Sequence, residues 1–262
     1  KKYHEIKKLF GLLNIRYIYY NSDPKVYDST FEGYPYSTMR TYLPKSQNEY
    51  KEFIANLSTK KIYQAGFYQL YEIDNKYSLP HFYAPNALSL YQNRKSDLNN
   101  LNVSFFENNN LHNLGYMTDT DCKKIFLNNE CKKQISLPKQ PKIIYEKINP
   151  NKYIVHIKGA DKKFVLIFSE TFHTNWNMYL ATNKPNSLLA TFLPQKNLAS
   201  KHFMINGYAN AWLIQPSDVN NKNDYTVIVE MTDQRIFYLS LLISFITAIF
   251  FIVGTIFFLF RR

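Results

Sequence analysis

Glu170 and His173 stand three residues apart in the run FSETFHTNWNMYL (Phe168–Leu180), and Trp176 and Tyr179 repeat that spacing directly after them. Carbohydrate sites are typically built this way. An aromatic ring packs on the apolar C–H face of a sugar while planar polar groups such as Glu, Asn and His take its hydroxyls. The same residues also suit a plainer arrangement, in which Trp176 and Tyr179 cover the open end of a β-domain and Glu170 and His173 hydrogen-bond in a turn. A second run, NGYANAW from Asn206 to Trp212, opens on a turn signal, Asn206–Gly207, with glycine supplying the positive φ that tight turns need. The only two tryptophans of the chain fall in these two runs, so the runs are expected to converge. Glu170, His173, Trp176, Tyr179, Asn206 and Trp212 are therefore the carbohydrate-binding candidates.

Other chemistries find little support. There is no glycine-rich phosphate loop, nucleophile elbow or HExxH pair. Glycoside hydrolysis needs a clefted acid and base; Glu170 and Asp218 are available, but nothing in their spacing singles them out. No catalytic residue, cofactor or metal is assigned. Cys122 and Cys131, the only cysteines, cannot complete the four ligands of a zinc site. A disulfide between them would close a short loop in an oxidising compartment, and the spacing alone leaves that bridge open. Asn56 (NLS) and Asn102 (NVS) match the N-glycosylation pattern.

The elements that must carry these residues change character along the chain. Ile6, Leu9, Phe10 and Leu13 recur at helical spacing and lead into a β-rich run from Ile15 to Tyr20. A Tyr-, Pro- and Ser-rich loop follows through DSTFEGYPYSTMRTYLP, and Ser46–Leu57 reads as a short helix with Glu49 completing a capping box. KIYQAGFYQLYEID reads as two strands joined through Gly66, and Pro80 and Pro85 hold the next segment extended. From Ser89 to Gln140 the chain is polar and Asn-rich, with one short helix at Thr120–Asn128.

Beyond Pro138–Pro141 come β-runs: KIIYEKI, KYIVHIK, KFVLIFSE, SLLATFL, HFMINGYANAWLI and DYTVIVEM. In KYIVHIK, Tyr153, Val155 and Ile157 alternate with polar-side positions as in a half-buried strand. The expected fold is an α+β N-terminal subdomain (1–140), an antiparallel β-sandwich of jelly-roll type (141–231) and a C-terminal transmembrane helix (236–260) with a two-residue cytoplasmic tail (261–262).

Ile236–Phe260 carries no charged side chain. At about 1.5 Å per residue it extends roughly 37 Å, enough for a hydrocarbon core of about 30 Å with some tilt. Arg261 and Arg262 form a basic stop of the kind retained in the cytoplasm, which places residues 1–235 on the extracytoplasmic side of a cell membrane. Phe237 and Tyr238 fit as interfacial aromatics. The chain starts at Lys1 with no signal-peptide pattern, and is read as a fragment of something longer.

With 32 basic and 20 acidic residues the net charge is +12. Without the helix and its Arg261–Arg262 tail the domain keeps 30 basic and 20 acidic residues, a net +10, and such a surface is drawn to anionic lipids or anionic wall polymers. The bilayer is the expected partner, together with a cell-wall or lipid-linked glycan. Nucleic acid is not, because the basic residues are scattered among Asn and Tyr and no nucleic-acid motif is present.

The run NPNKYIVHIKGADKKFVLIFSETFHTNWNMYL, followed by HFMINGYANAWLI, a β-run and one terminal membrane helix, resembles the C-terminal extracytoplasmic region of YfhO-like and arabinofuranosyltransferase-like bacterial membrane proteins of the GT-C glycosyltransferase class. FGLLNIRYIYYN and GFYQLYEIDNKYSLPHFYAP are similar to further segments of those proteins. Asn175 departs from the pattern, where glycine is expected before the tryptophan. The resemblance implies a polytopic enzyme that transfers a sugar from a polyprenyl-phosphate donor to a lipid- or wall-linked acceptor. Its catalytic carboxylate would lie in upstream membrane loops, leaving this region as an accessory glycan-facing domain. The alternative is a membrane-anchored structural or interaction domain without glycan binding.

Overall fold

The computed structural model describes residues 2–23, 47–57, 59–74, 78–91, 114–132, 134–181, 197–198 and 201–261. The Tyr-rich loop, most of the Asn-rich stretch with Asn102, and the expected strand SLLATFL lie outside the described residues. Two compact units emerge: Lys1–Tyr83, Ala87–Ile135 and Asn206–Tyr208 form unit 1, while Ala84–Asn86, Ser136–Ile205 and Ala209–Arg262 form unit 2. The division therefore falls at Ile135/Ser136, just before the Pro138–Pro141 punctuation.

Unit 1 is mixed. Its elements are α1 (Lys2–Leu12), β1 (Tyr17–Asn21), α2 (Gln47–Asn56), β2 (Thr59–Ala65), β3 (Tyr68–Ile73), β4 (Phe82–Tyr83), β5 (Ala87–Tyr91), β6 (Leu114–Thr118) and α3 (Asp119–Ile125), with β7 (Gln134–Ser136) at its boundary. The apolar stripes of α1 and α2 meet where Phe10 stands edge-on to Phe53, centroids 6.5 Å apart. Gly66, at φ +54°, lets the chain reverse between β2 and β3. Strand β1 pairs antiparallel with β3 on its other side, giving the order β1-β3-β2. Strands β5 and β6 pair in parallel, Ala87 opposite Leu114 through Tyr91 opposite Thr118. Thr118 caps α3 by accepting from the Asp121 amide at 3.0 Å. Cys122, fully buried on that helix, is joined by a disulfide to Cys131.

Unit 2 is built from antiparallel strands: β8 (Lys142–Asn149), β9 (Lys152–Lys158), β10 (Phe164–Thr171), β11 (Trp176–Leu180), β12 (Lys201–Ile205), β13 (Ala209–Ile214) and β14 (Tyr225–Met231). One layer runs β11-β14-β9-β8 and a second contains β12, β13 and β10 in that order. Register across the first layer sets Met178, Val229 and Tyr153 in one row, so the row and its neighbours two residues on share a face. That face meets the second layer through Phe168. The sheets are mostly antiparallel and not closed into a barrel. KYIVHIK differs from a half-buried strand: Lys152 and Ile154, on its other side, are buried as well.

The last element, α4 (Asp233–Phe260), begins three residues before the expected span. It is long and apolar enough to cross a membrane, and none of its apolar window is buried within the protein. Ser244, Thr247 and Thr255 donate to carbonyls four residues back, at 2.8–2.9 Å, so these hydroxyls are satisfied without water.

Candidate functional site

Trp176 opens β11 with its ring inside the core. It is 5% exposed, edge-on to Phe168 at 4.8 Å, with Tyr153 tilted beside it at 6.3 Å. Tyr153 and Phe168 are themselves 5.0 Å apart, closing an aromatic triad between the layers. Burial, reinforced by the Glu170 charge, pushes the Tyr153 hydroxyl up to about 12. Trp212, on β13, lies opposite Leu166 and His202 and so faces the same way as Phe168 two residues along β10. It is 2% exposed and stacked on the His202 ring, 4.6 Å apart and 9° from parallel. Both tryptophans thus belong to the core of unit 2, and neither ring offers a face to solvent.

The end of β10 is organised by Asn210, fully buried opposite Phe168. Pairing slips between Phe168 and Thr171, and there a side chain takes up the carbonyls of Glu170 and Thr171. Asn210 Nδ2 donates to both, at 2.9 and 3.2 Å. With its amide nitrogen so engaged, Oδ1 is the acceptor, receiving the His173 backbone N–H at 3.2 Å and His202 Nε2 at 3.1 Å. His202 therefore carries its proton on Nε2. Burial lowers its pKa, and the bond to Asn210 offsets that in part.

Beyond the bulge the chain turns toward the start of α4. His173 is exposed, and its Nδ1 accepts from the Asn175 amide at 3.2 Å. Asn175 Nδ2 donates to both carboxylate oxygens of Asp233, at 2.8 and 2.9 Å, while its carbonyl accepts from the amide and hydroxyl of Thr232. Asn151, in the β8–β9 turn, donates from Nδ2 to Gln234 at 2.6 Å and accepts through its carbonyl from Met231. Glu230, 4% exposed, is paired with Arg235 on one oxygen and with Lys152 at 3.7 Å on the other. The Arg235 guanidinium also sits over the Tyr179 ring, 4.9 Å from its centroid. Desolvation lowers the Lys152 pKa against the opposing pull of Glu230. The first turn of α4 is thereby held by residues from β9, β11, β14 and two connecting turns.

The candidates thus take different places. Trp176, Tyr179 and Trp212 are buried, Glu170 is half-buried with its carbonyl bound by Asn210, and His173 is exposed on the connecting turn. Asn206 belongs to unit 1, at φ +56°; it exchanges hydrogen bonds with Tyr116 at 2.7 and 2.9 Å and donates to the Tyr83 hydroxyl at 2.9 Å. Asp218 accepts from the Gln215 amide at 2.8 Å as a helix cap. Among the described residues no group of three or more His, Cys, Asp or Glu side chains is placed to hold a metal. Reasoning from sequence missed Asn210, Asn151, Glu230 and Arg235. The last pair carried a usable signal, charges of opposite sign five residues apart, with Asp233 between them, at the threshold of the uncharged run Ile236–Phe260. Comparison with protein-family models, with curated proteins and with solved structures finds no match for the chain.

Proposed function

We propose that the chain is a membrane-anchored extracytoplasmic domain whose unit 2 is fastened to the start of its membrane helix, so that the β-layers are held at a fixed height above the bilayer. The observation that carries this reading is the cluster in which Asn175, Asn151 and Glu230 engage Thr232, Asp233, Gln234 and Arg235. A helix start ordinarily leaves backbone N–H groups unmet and free to fray. Here the side chains around it are committed to the domain. Arg261 and Arg262 set the cytoplasmic end, which puts residues 1–232 outside. On this reading unit 2 is a β-sandwich of jelly-roll type.

The resemblance to the GT-C class extends the same reading: the domain is the accessory, glycan-facing part of a membrane glycosyltransferase of the cell envelope, acting with polyprenyl-phosphate-sugar donors. The catalytic carboxylate would stand elsewhere in the protein. The topology is tested by protease digestion of the full chain in sealed, right-side-out membrane vesicles. Removal of residues 1–232 from outside is expected, and protection of that region until the vesicles are opened would overturn the assignment.

A further inference from the structure

Unit 1 carries an aromatic surface that neither tryptophan run predicts. On the sheet β1-β3-β2, register places Tyr17, Glu72 and Lys60 in one row, Tyr19, Leu70 and Tyr63 in the next alternate row, and Tyr68 in the third. Alternate rows share a face. A bulge at Ile62, between Lys61 and Tyr63, turns Tyr63 onto that face. Tyr19 and Tyr63 are each 62% exposed, Tyr68 52% and Tyr17 47%. Tyr19 and Tyr68 stack at 5.7 Å with planes 24° apart. Arg16 lies over the Tyr17 ring at 5.4 Å while donating to Glu72 at 2.8 and 3.0 Å.

We propose that this tyrosine face binds an anionic glycan, a polyhydroxylated chain bearing carboxylate or phosphate groups. Tyr17 and Tyr19 are about 7 Å apart along β1, and Tyr19 and Tyr63 roughly 10 Å apart across β3, so successive rings can each meet a different sugar residue. Each ring offers an apolar face and a hydroxyl, which matches the two-sided chemistry of a pyranose. Within these rows the aliphatic side chains are Ala65 and Leu70, the latter half-buried between Tyr19 and Tyr63, while the exposed Ile62 and Phe67 flank the face at the bulge and the β2–β3 turn. Charge selects among glycans: Lys60 lies in the Tyr17 row, the acid of that row, Glu72, is already paired with Arg16, and the chain as a whole is +12.

The inference rests on the accessory-domain reading for its setting, and its test is separate from the topology experiment. The full chain in nanodiscs would be titrated with oligogalacturonides, with neutral chito-oligosaccharides and with phosphatidylglycerol vesicles, following tyrosine ring NMR signals. The expected result is shifts at Tyr19, Tyr63 and Tyr68 with the oligogalacturonide, weakening with added salt. Affinity should fall about tenfold or more in Tyr19→Ala/Tyr63→Ala and be largely kept in the matching phenylalanine variants. These side chains are exposed, so unchanged dispersion of core signals establishes folding of the variants. Equal binding of the neutral sugar would overturn the charge assignment. Absence of shifts with either sugar, or tyrosine shifts with vesicles alone, would overturn the proposal while leaving the membrane topology standing.

Discussion

Aromatic side chains are used in opposite ways in the two units. In unit 2, Phe168 stands edge-on to both Tyr153 and Trp176 between two layers. In unit 1, Tyr17, Tyr19, Tyr63 and Tyr68 stand on the solvent side of a three-stranded sheet. The residue types hardly differ, so type alone does not decide the use. What decides it is whether a second layer covers the face. Strands β10 and β13 are buried along nearly their whole length, whereas β2 is exposed at all but its first residue. The contrast gives aromatic truncations of opposite kinds, structural in one unit and surface-only in the other.

The largest effect is expected at the triad. Trp176→Ala removes a fully enclosed ring and should cost about 3–5 kcal/mol in denaturant unfolding of unit 2. A loss below about 1 kcal/mol would mean that the ring is not packed as described. Next comes the ion cluster. Glu230→Gln leaves Lys152 and Arg235 side by side without their anion, at an expected cost of about 3 kcal/mol. Glu230→Gln combined with Lys152→Met should recover part of it.

A smaller effect concerns pH. The folded-state pKa of His202 lies below its ordinary 6.5, so the unfolded chain takes up the proton first. Its contribution is complete above about pH 6.5 and is lost as pH falls toward the folded value. His202→Gln should flatten that part of the stability profile, and an unchanged profile would contradict the neutral, Asn210-bound ring. The smallest effect belongs to unit 1. Tyr19→Ala should change stability by no more than about 0.5 kcal/mol, the usual range for a surface position. A loss comparable to that of Trp176→Ala would show that something covers the face.

Much of the architecture was legible in the sequence. The uncharged run Ile236–Phe260, the hairpin through Gly66, the turn at Asn206–Gly207 and the short helices all follow from local pattern. Which layer a β-side chain faces was not legible where it mattered. FVLIF and ANAWLI are apolar on both sides, so alternation could not tell the Trp212 side from its opposite. The tyrosine face was hidden for a different reason: the bulge at Ile62 breaks the period that would have exposed it. Asn175 is instructive, because it departs from the glycine that the resemblance leads one to expect. The difference is a side chain, and that side chain is what grips Asp233. Long-range polar contacts of this kind leave no trace in local spacing.

The central claim, that the β-layers of unit 2 and the start of α4 are fastened together at Met231–Arg235, is tested most directly by amide hydrogen exchange of the full chain in nanodiscs. The amides of Met231 and Thr232, bonded to Asn151 and Asn175 at 2.9 and 3.0 Å, and that of Arg235, bonded to Thr232 at 3.0 Å, should be protected to the level of the interior of β14. Exchange at the rate of an unprotected chain, with β14 still protected, would show a free hinge where the account requires a joint.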